Sequence, residues 1–198
     1  MPSPYLNIPE SRRAEIIRWL DHRLSALLAV AIGEDYPRLD AYLQLHRYVY
    51  NAALEGASIM ARMLFEFLGV LPVGRGGTPA HELRIDLGEG DDFRLANEGL
   101  PVATREDFQS RGEEDFIARL LWGINKRTAH CTIDTTREGT ARSDLIRATE
   151  IILRELRAHF YGPDTLIEIN ADLARDLERG WRGFNFRGPL PPPRDRPA

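Results

Sequence analysis

The chain has a single cysteine, a single lysine and no long apolar run. Each scarcity excludes something. Cys131 has no second thiol to bridge with, so the fold uses no internal disulfide, which fits a reducing compartment. The longest apolar stretch, Leu24 to Ile32, is interrupted by Ser25. It falls well short of the roughly 20 residues that span a bilayer. The opening MPSPYLNIPESRR lacks the apolar core of a signal peptide. The expectation is a cytoplasmic protein without membrane attachment.

The chemistry that is missing narrows the field further. The glycine-rich stretch GVLPVGRGGTP has no Gly-Lys-Ser/Thr, which a phosphate-cradling P-loop requires. His81-Glu82-Leu83-Arg84-Ile85 lacks the second histidine of a zinc-protease helix. The histidines at 22, 46, 81, 130 and 159 show no metal-ligand spacing with a cysteine pair. No G-x-S-x-G nucleophile elbow is present. No metal and no cofactor is expected. Net charge is −4, so no global basic field is available for nucleic acid. Every basic side chain except Lys126 is arginine or histidine, a bias that GC-rich codon usage accounts for.

What is present is an ordinary globular composition. At 198 residues and 43% hydrophobic, the chain can bury one sizeable core. Its organising signal is helical periodicity. Ile16, Ile17, Leu20, Leu24, Leu27, Leu28 and Ala31 define a helix over 10–32. Leu43, Val49, Leu54, Ala57, Ala61, Leu64 and Leu68 define a second, capped by Asp40. Phe116, Ile117, Leu120, Leu121, Ile124 and Thr128 define a third, ending near Cys131. Leu145, Ile146, Ile152, Leu153, Leu156 and Phe160 define a fourth over 141–160. Asp164 caps a fifth that ends at Gly180. Long helices on short loops predict a mainly α fold, an antiparallel bundle of four to five helices.

Residues 70–112 break the pattern. Leu83, Ile85 and Leu87 alternate with polar residues, GEGDD reads as a turn, and Phe93 and Leu95 alternate again. That predicts a small β-hairpin or loop insertion. The expected organisation is an extended lead-in over 1–9, a helical domain over 10–180, and a proline-rich tail over 181–198. That tail resembles a segment that partner domains read.

The C-terminal half of the third long helix carries the chemistry. Trp122, Lys126 and His130 lie at i, i+4 and i+8, so they share one stripe; Arg127 and Asn125 flank it. Read plainly, this is a polar helix end. Cations are favoured there by the partial negative charge of the terminal carbonyls, and His130 caps a loop. A second feature is Ser58, Arg62 and Glu66 at successive i+4 steps on the second helix. Arg62 falls near the bundle seam and needs a partner there, either Glu66 or a side chain of the third long helix.

The segments A-R-M-L-F-E-F-L around Arg62 and I-N-K-R-T-A-H-C-T around His130 together resemble the HEPN (higher eukaryotes and prokaryotes nucleotide-binding) superfamily. The resemblance lies with bacterial members that carry R-x-L-x-x-F and N-K-x-x-A-H-x-T segments. It implies a helical bundle that dimerises. It also implies a place in bacterial defence or toxin–antitoxin type systems, where many members are metal-independent ribonucleases. Their signature is an arginine separated from a histidine by four to six residues. His130 matches the histidine, but Asn125, Ile124 and Gly123 occupy the three arginine positions. Members without catalysis bind a protein partner or a nucleotide. The resemblance therefore implies a homodimeric partner- or nucleotide-binding module. Trp122, Asn125 and Arg127 are then candidate binding residues. The alternative it implies is a ribonuclease in which His130 acts as general acid/base, with Lys126 or Arg62 stabilising the phosphorane. A helical structural protein outside the family is the remaining reading.

Overall fold

A computed structural model describes residues 7–31, 47–74, 79–87, 94–128 and 140–161. Four long helices form the frame: α1 (Glu10–Ala31), α2 (Arg47–Phe67), α4 (Glu114–Thr128) and α5 (Arg142–Leu156). Strands β1 (Val70–Val73) and β2 (Glu82–Ile85) and the short helix α3 (Arg105–Ser110) lie between α2 and α4. Helix α1 packs on α2 and α5, α2 also packs on α4 and α5, and the two strands pack on α4. The fold is a mainly helical bundle with one small antiparallel hairpin, as the periodicity predicts. The expected fifth helix, the Asp40 cap and the proline-rich tail lie outside the described residues.

The core follows the predicted stripes. Ile16, Leu20, Leu24 and Leu27 of α1 are fully buried, as are Ala61, Leu64, Phe65 and Phe67 of α2. Ile117 and Ile124 of α4 meet them, with Leu145, Ile152 and Leu156 of α5. Where α5 ends, one π turn over Arg157–Tyr161 drives Phe160 and Tyr161 into the core. Among the described residues, no helix is long and apolar enough to cross a membrane.

The hairpin is where the structure corrects the sequence reading. β2 does pair, but its partner is β1, in the register Val70↔Ile85 and Pro72↔Leu83. Of the expected second strand, Phe93 lies outside the described residues, and Leu95 is in no strand. Leu95 instead opens a 3-10 turn over Ala96–Glu98, and its N–H donates to the Phe67 carbonyl at 2.9 Å. The alternation of Leu83, Ile85 and Leu87 does not mark one buried face either. Leu83 is 1% exposed and Leu87 64%. Proline is tolerated at position 72 because a two-stranded ribbon is all edge.

Gly69 sets the turn from α2 into β1. Its φ is +79°, and a Cβ there would sit 2.8 Å from the Asp86 carbonyl oxygen. The Asp86 N–H donates to the Gly69 carbonyl at 2.7 Å, so the two backbones cannot separate. Gly69→Ala is expected to destabilise the fold by about 1–3 kcal/mol, the cost of a non-glycine residue in the left-handed region. Urea denaturation measures it, and a loss below about 0.5 kcal/mol would contradict this geometry.

Candidate functional site

The hairpin is fastened to the start of α4, and that sets one wall of a cleft. Glu114, in the first turn of α4, accepts the Leu83 N–H at 2.9 Å and the Arg105 side chain at 2.5 Å. Burial opposes the ionised form of Glu114, but these hydrogen bonds outweigh it and hold its pKa below the ordinary value. β2 is thereby clamped between α3 and α4. The loop leading into it brings Pro79 over the exposed flank of α4.

A cleft of about 330 Å³ opens at that flank, lined by Pro79, by Phe116, Arg119, Leu120, Trp122 and Gly123 of α4, and by Thr140 and Asp144. Its size falls at the lower end of small-molecule sites, which run from about 300 to 1,000 Å³. Two aromatic side chains supply apolar wall, and each carries a cation. The Lys126 ammonium lies 6.0 Å from the Trp122 ring centroid. The Arg147 guanidinium lies 4.2 Å from the Phe116 ring centroid. Arg119 adds a third positive group and is held by Asp115, one turn back, at 2.6 Å. Gly74, just past β1, lies close to Trp122. A Cβ on that glycine would lie 3.3 Å from the indole Cδ1, so the strand end and the ring are in close contact.

The predicted site residues divide. Trp122 and Lys126 come together as the i, i+4 spacing requires, Trp122 in the cleft wall and Lys126 beside its ring. Asn125 is not among the residues that line the cleft, and its Oδ1 is buried with no hydrogen-bond partner among the described residues. Arg62 is on α2 and forms an ion pair with Glu66 at 2.8 Å, both side chains one-third exposed. It is not among the residues that line the cleft. Ser58 is buried and donates to the Leu54 carbonyl at 2.7 Å, an intrahelical bond. His130, with its neighbour Cys131, lies outside the described residues, and so does the side chain of Arg127. Among the described residues, no group of three or more histidine, cysteine, aspartate or glutamate side chains is placed to hold a metal ion.

Sequence reading missed Arg119, Phe116, Asp144 and Pro79. Asp115, Arg119, Trp122 and Lys126 follow helical spacing, so the stripe read from Trp122 to His130 extends backwards along α4. That extension would have found Arg119. Asp144 and Pro79 reach the cleft only through the packing of α5 and the hairpin, which no local pattern encodes. Compared with known proteins, the chain matches no family model, no curated protein and no solved structure.

Proposed function

We propose that this protein is a HEPN-like binding module that acts as a homodimer in a bacterial defence or toxin–antitoxin type system and takes a nucleotide in the cleft beside α4. The observation that carries the reading is the cleft itself. Its wall combines two aromatics (Phe116 and Trp122) with one cation, Arg119, and one carboxylate, Asp144, and Lys126 and Arg147 lie against the two rings. A nucleotide presents the complement: a flat base that stacks, a phosphate that pairs with guanidinium or ammonium, and hydroxyls or amino groups that donate to a carboxylate. The resemblance around Arg62 and His130 supports the same ligand class and adds dimerisation. The ribonuclease alternative rests on His130, and no described side chain strengthens it.

Calorimetric titration with purine and pyrimidine nucleotides tests the reading. Base stacking on an aromatic side chain contributes about 1–3 kcal/mol. Trp122→Ala is therefore expected to weaken binding about 5- to 150-fold. Trp122→Phe, which keeps the wall, is expected to restore most of it. Wild-type protein that binds no nucleotide at millimolar concentration, or a folded Trp122→Ala variant that binds unchanged, would overturn the proposal.

A further inference from the structure

At the hairpin end of the cleft stands a second group of side chains. His81 Nδ1 lies 2.7 Å from Asp115 Oδ1, and the other Asp115 oxygen accepts from Arg119 at 2.6 Å. With Nδ1–H donating to the carboxylate, the imidazole is locked in one tautomer and Nε2 is left as the acceptor. The hydrogen bond from His81 and the charge of Arg119 hold the Asp115 carboxyl below its ordinary pKa, so it stays ionised. This is how an oriented general base is built: a histidine, a carboxylate that fixes the ring, and a third group that fixes the carboxylate. Glu82, next in the chain, pairs with Arg105.

Two links join this group to the cleft. Arg119 is both the anchor of Asp115 and part of the cleft wall, and Pro79, two residues before His81, lines the same wall. His81 is 64% exposed and Asp115 53%, so a bound solute has access to the ring.

We propose that His81, oriented by Asp115, is the general base for hydrolysis of a phosphoanhydride in a nucleotide held by the cleft. The inference rests on the nucleotide-binding reading above. The bond type follows from what the dyad supplies. It provides a base beside a cation, Arg119, and a leaving alkoxide would also need a proton. A phosphoanhydride needs none, because its leaving group is a phosphate oxygen. In the step, Nε2 takes a proton from water, and the water oxygen bonds to the terminal phosphorus. The bridging P–O bond breaks, and its electron pair stays on the departing nucleotide. The imidazolium proton then passes to solvent. Arg119 stands where negative charge accumulates.

The test is inorganic phosphate release from magnesium–ATP and magnesium–GTP, run beside calorimetric binding of the same nucleotides, on wild type, His81→Gln and Asp115→Asn. The expected result is phosphate release by wild type and a fall of about 100-fold or more in His81→Gln, with binding changed less than threefold. Asp115→Asn is expected to lower the rate as well and to alter its pH profile, because the imidazole loses its fixed tautomer. Binding without release, or release that survives in His81→Gln, overturns this inference and leaves the binding reading intact. No binding by wild type overturns both.

Discussion

Replacing Phe67 with alanine is expected to remove about 3–5 kcal/mol of stability, the range measured for aromatic-to-alanine changes in close-packed cores. Phe67 is fully buried at the last position of α2. Its ring meets Trp19 of α1 at 5.2 Å between centroids and Phe160 of the π turn at 6.2 Å, edge-on. Its carbonyl accepts the Leu95 N–H, which ties the insertion to the bundle. Helix α1 and the π turn therefore pack on one side chain of α2. Deleting it opens a cavity that neither can fill without breaking its own helix or turn. Chemical denaturation measures the loss. Phe67→Leu, which keeps most of the volume, is expected to lose under about 1.5 kcal/mol. If Phe67→Ala loses less than about 1 kcal/mol, Phe67 is not the junction described.

What the sequence disclosed and what it hid divide along a physical line. A helix stripe is local information. Leu20, Leu24 and Leu27 face inward because 3.6 residues make a turn, whatever they pack against. The Thr104–Asp107 pair at the start of α3 is local too. The Thr104 side chain accepts the Asp107 N–H, and the Asp107 carboxylate accepts the Thr104 N–H. It is readable as T-x-x-D, although the hairpin-like alternation around it draws attention away from the helix it starts. Strand pairing is not local. Leu83 and Ile85 have β character in either partner's hands. The choice of Val70–Val73 is made by the Gly69 turn, and Glu114 holds the pair against α4.

The candidate site divides in the same way. Trp122 and Lys126 are legible because both sit on one helix. His81 is set aside when read as a failed zinc-protease motif, since nothing in His81-Glu82-Leu83 points to Asp115, 34 residues on. Only the docking of the hairpin brings them together. A residue's chemistry is thus visible in sequence when its partner lies within a turn or two of helix, and hidden when the partner arrives through packing.

A second cluster of that hidden kind is ionic, and it yields the second strong expectation. Glu155, on the last turn of α5, is 2% exposed, yet it is a carboxylate. It accepts from Arg111 at 2.8 Å and from Arg154 at 2.8 and 2.9 Å, and His159 Nε2, one turn on, lies 3.4 Å away. Glu113 completes the group, bonded by both terminal nitrogens of Arg154 at 2.7 and 2.6 Å and by Arg111 at 3.0 Å. The cluster pins the α3–α4 corner to the end of α5. Burial works against the ionised form of both carboxylates. The surrounding donors outweigh it, His159 and Arg154 at Glu155 and the two arginines at Glu113, so both pKa values are depressed.

Removing one member of a buried pair costs about 3–5 kcal/mol. Arg111 and Arg154 keep a third or more of their surface in water, which lets them rehydrate once Glu155 is gone. Glu155→Ala is therefore expected near the lower end, at about 3 kcal/mol. The dependence on pH separates this from a packing loss. Groups whose folded pKa lies below the unfolded value contribute fully above about pH 4.3 and lose that contribution as pH falls through the folded value. The gap between wild type and Glu155→Ala, measured by urea denaturation, is thus expected to be full at pH 7 and to narrow steadily below pH 4.3. A gap of the same size at pH 7 and pH 3 would mean that Glu155 acts through the volume of its side chain rather than its charge. The corner would then be held by packing alone.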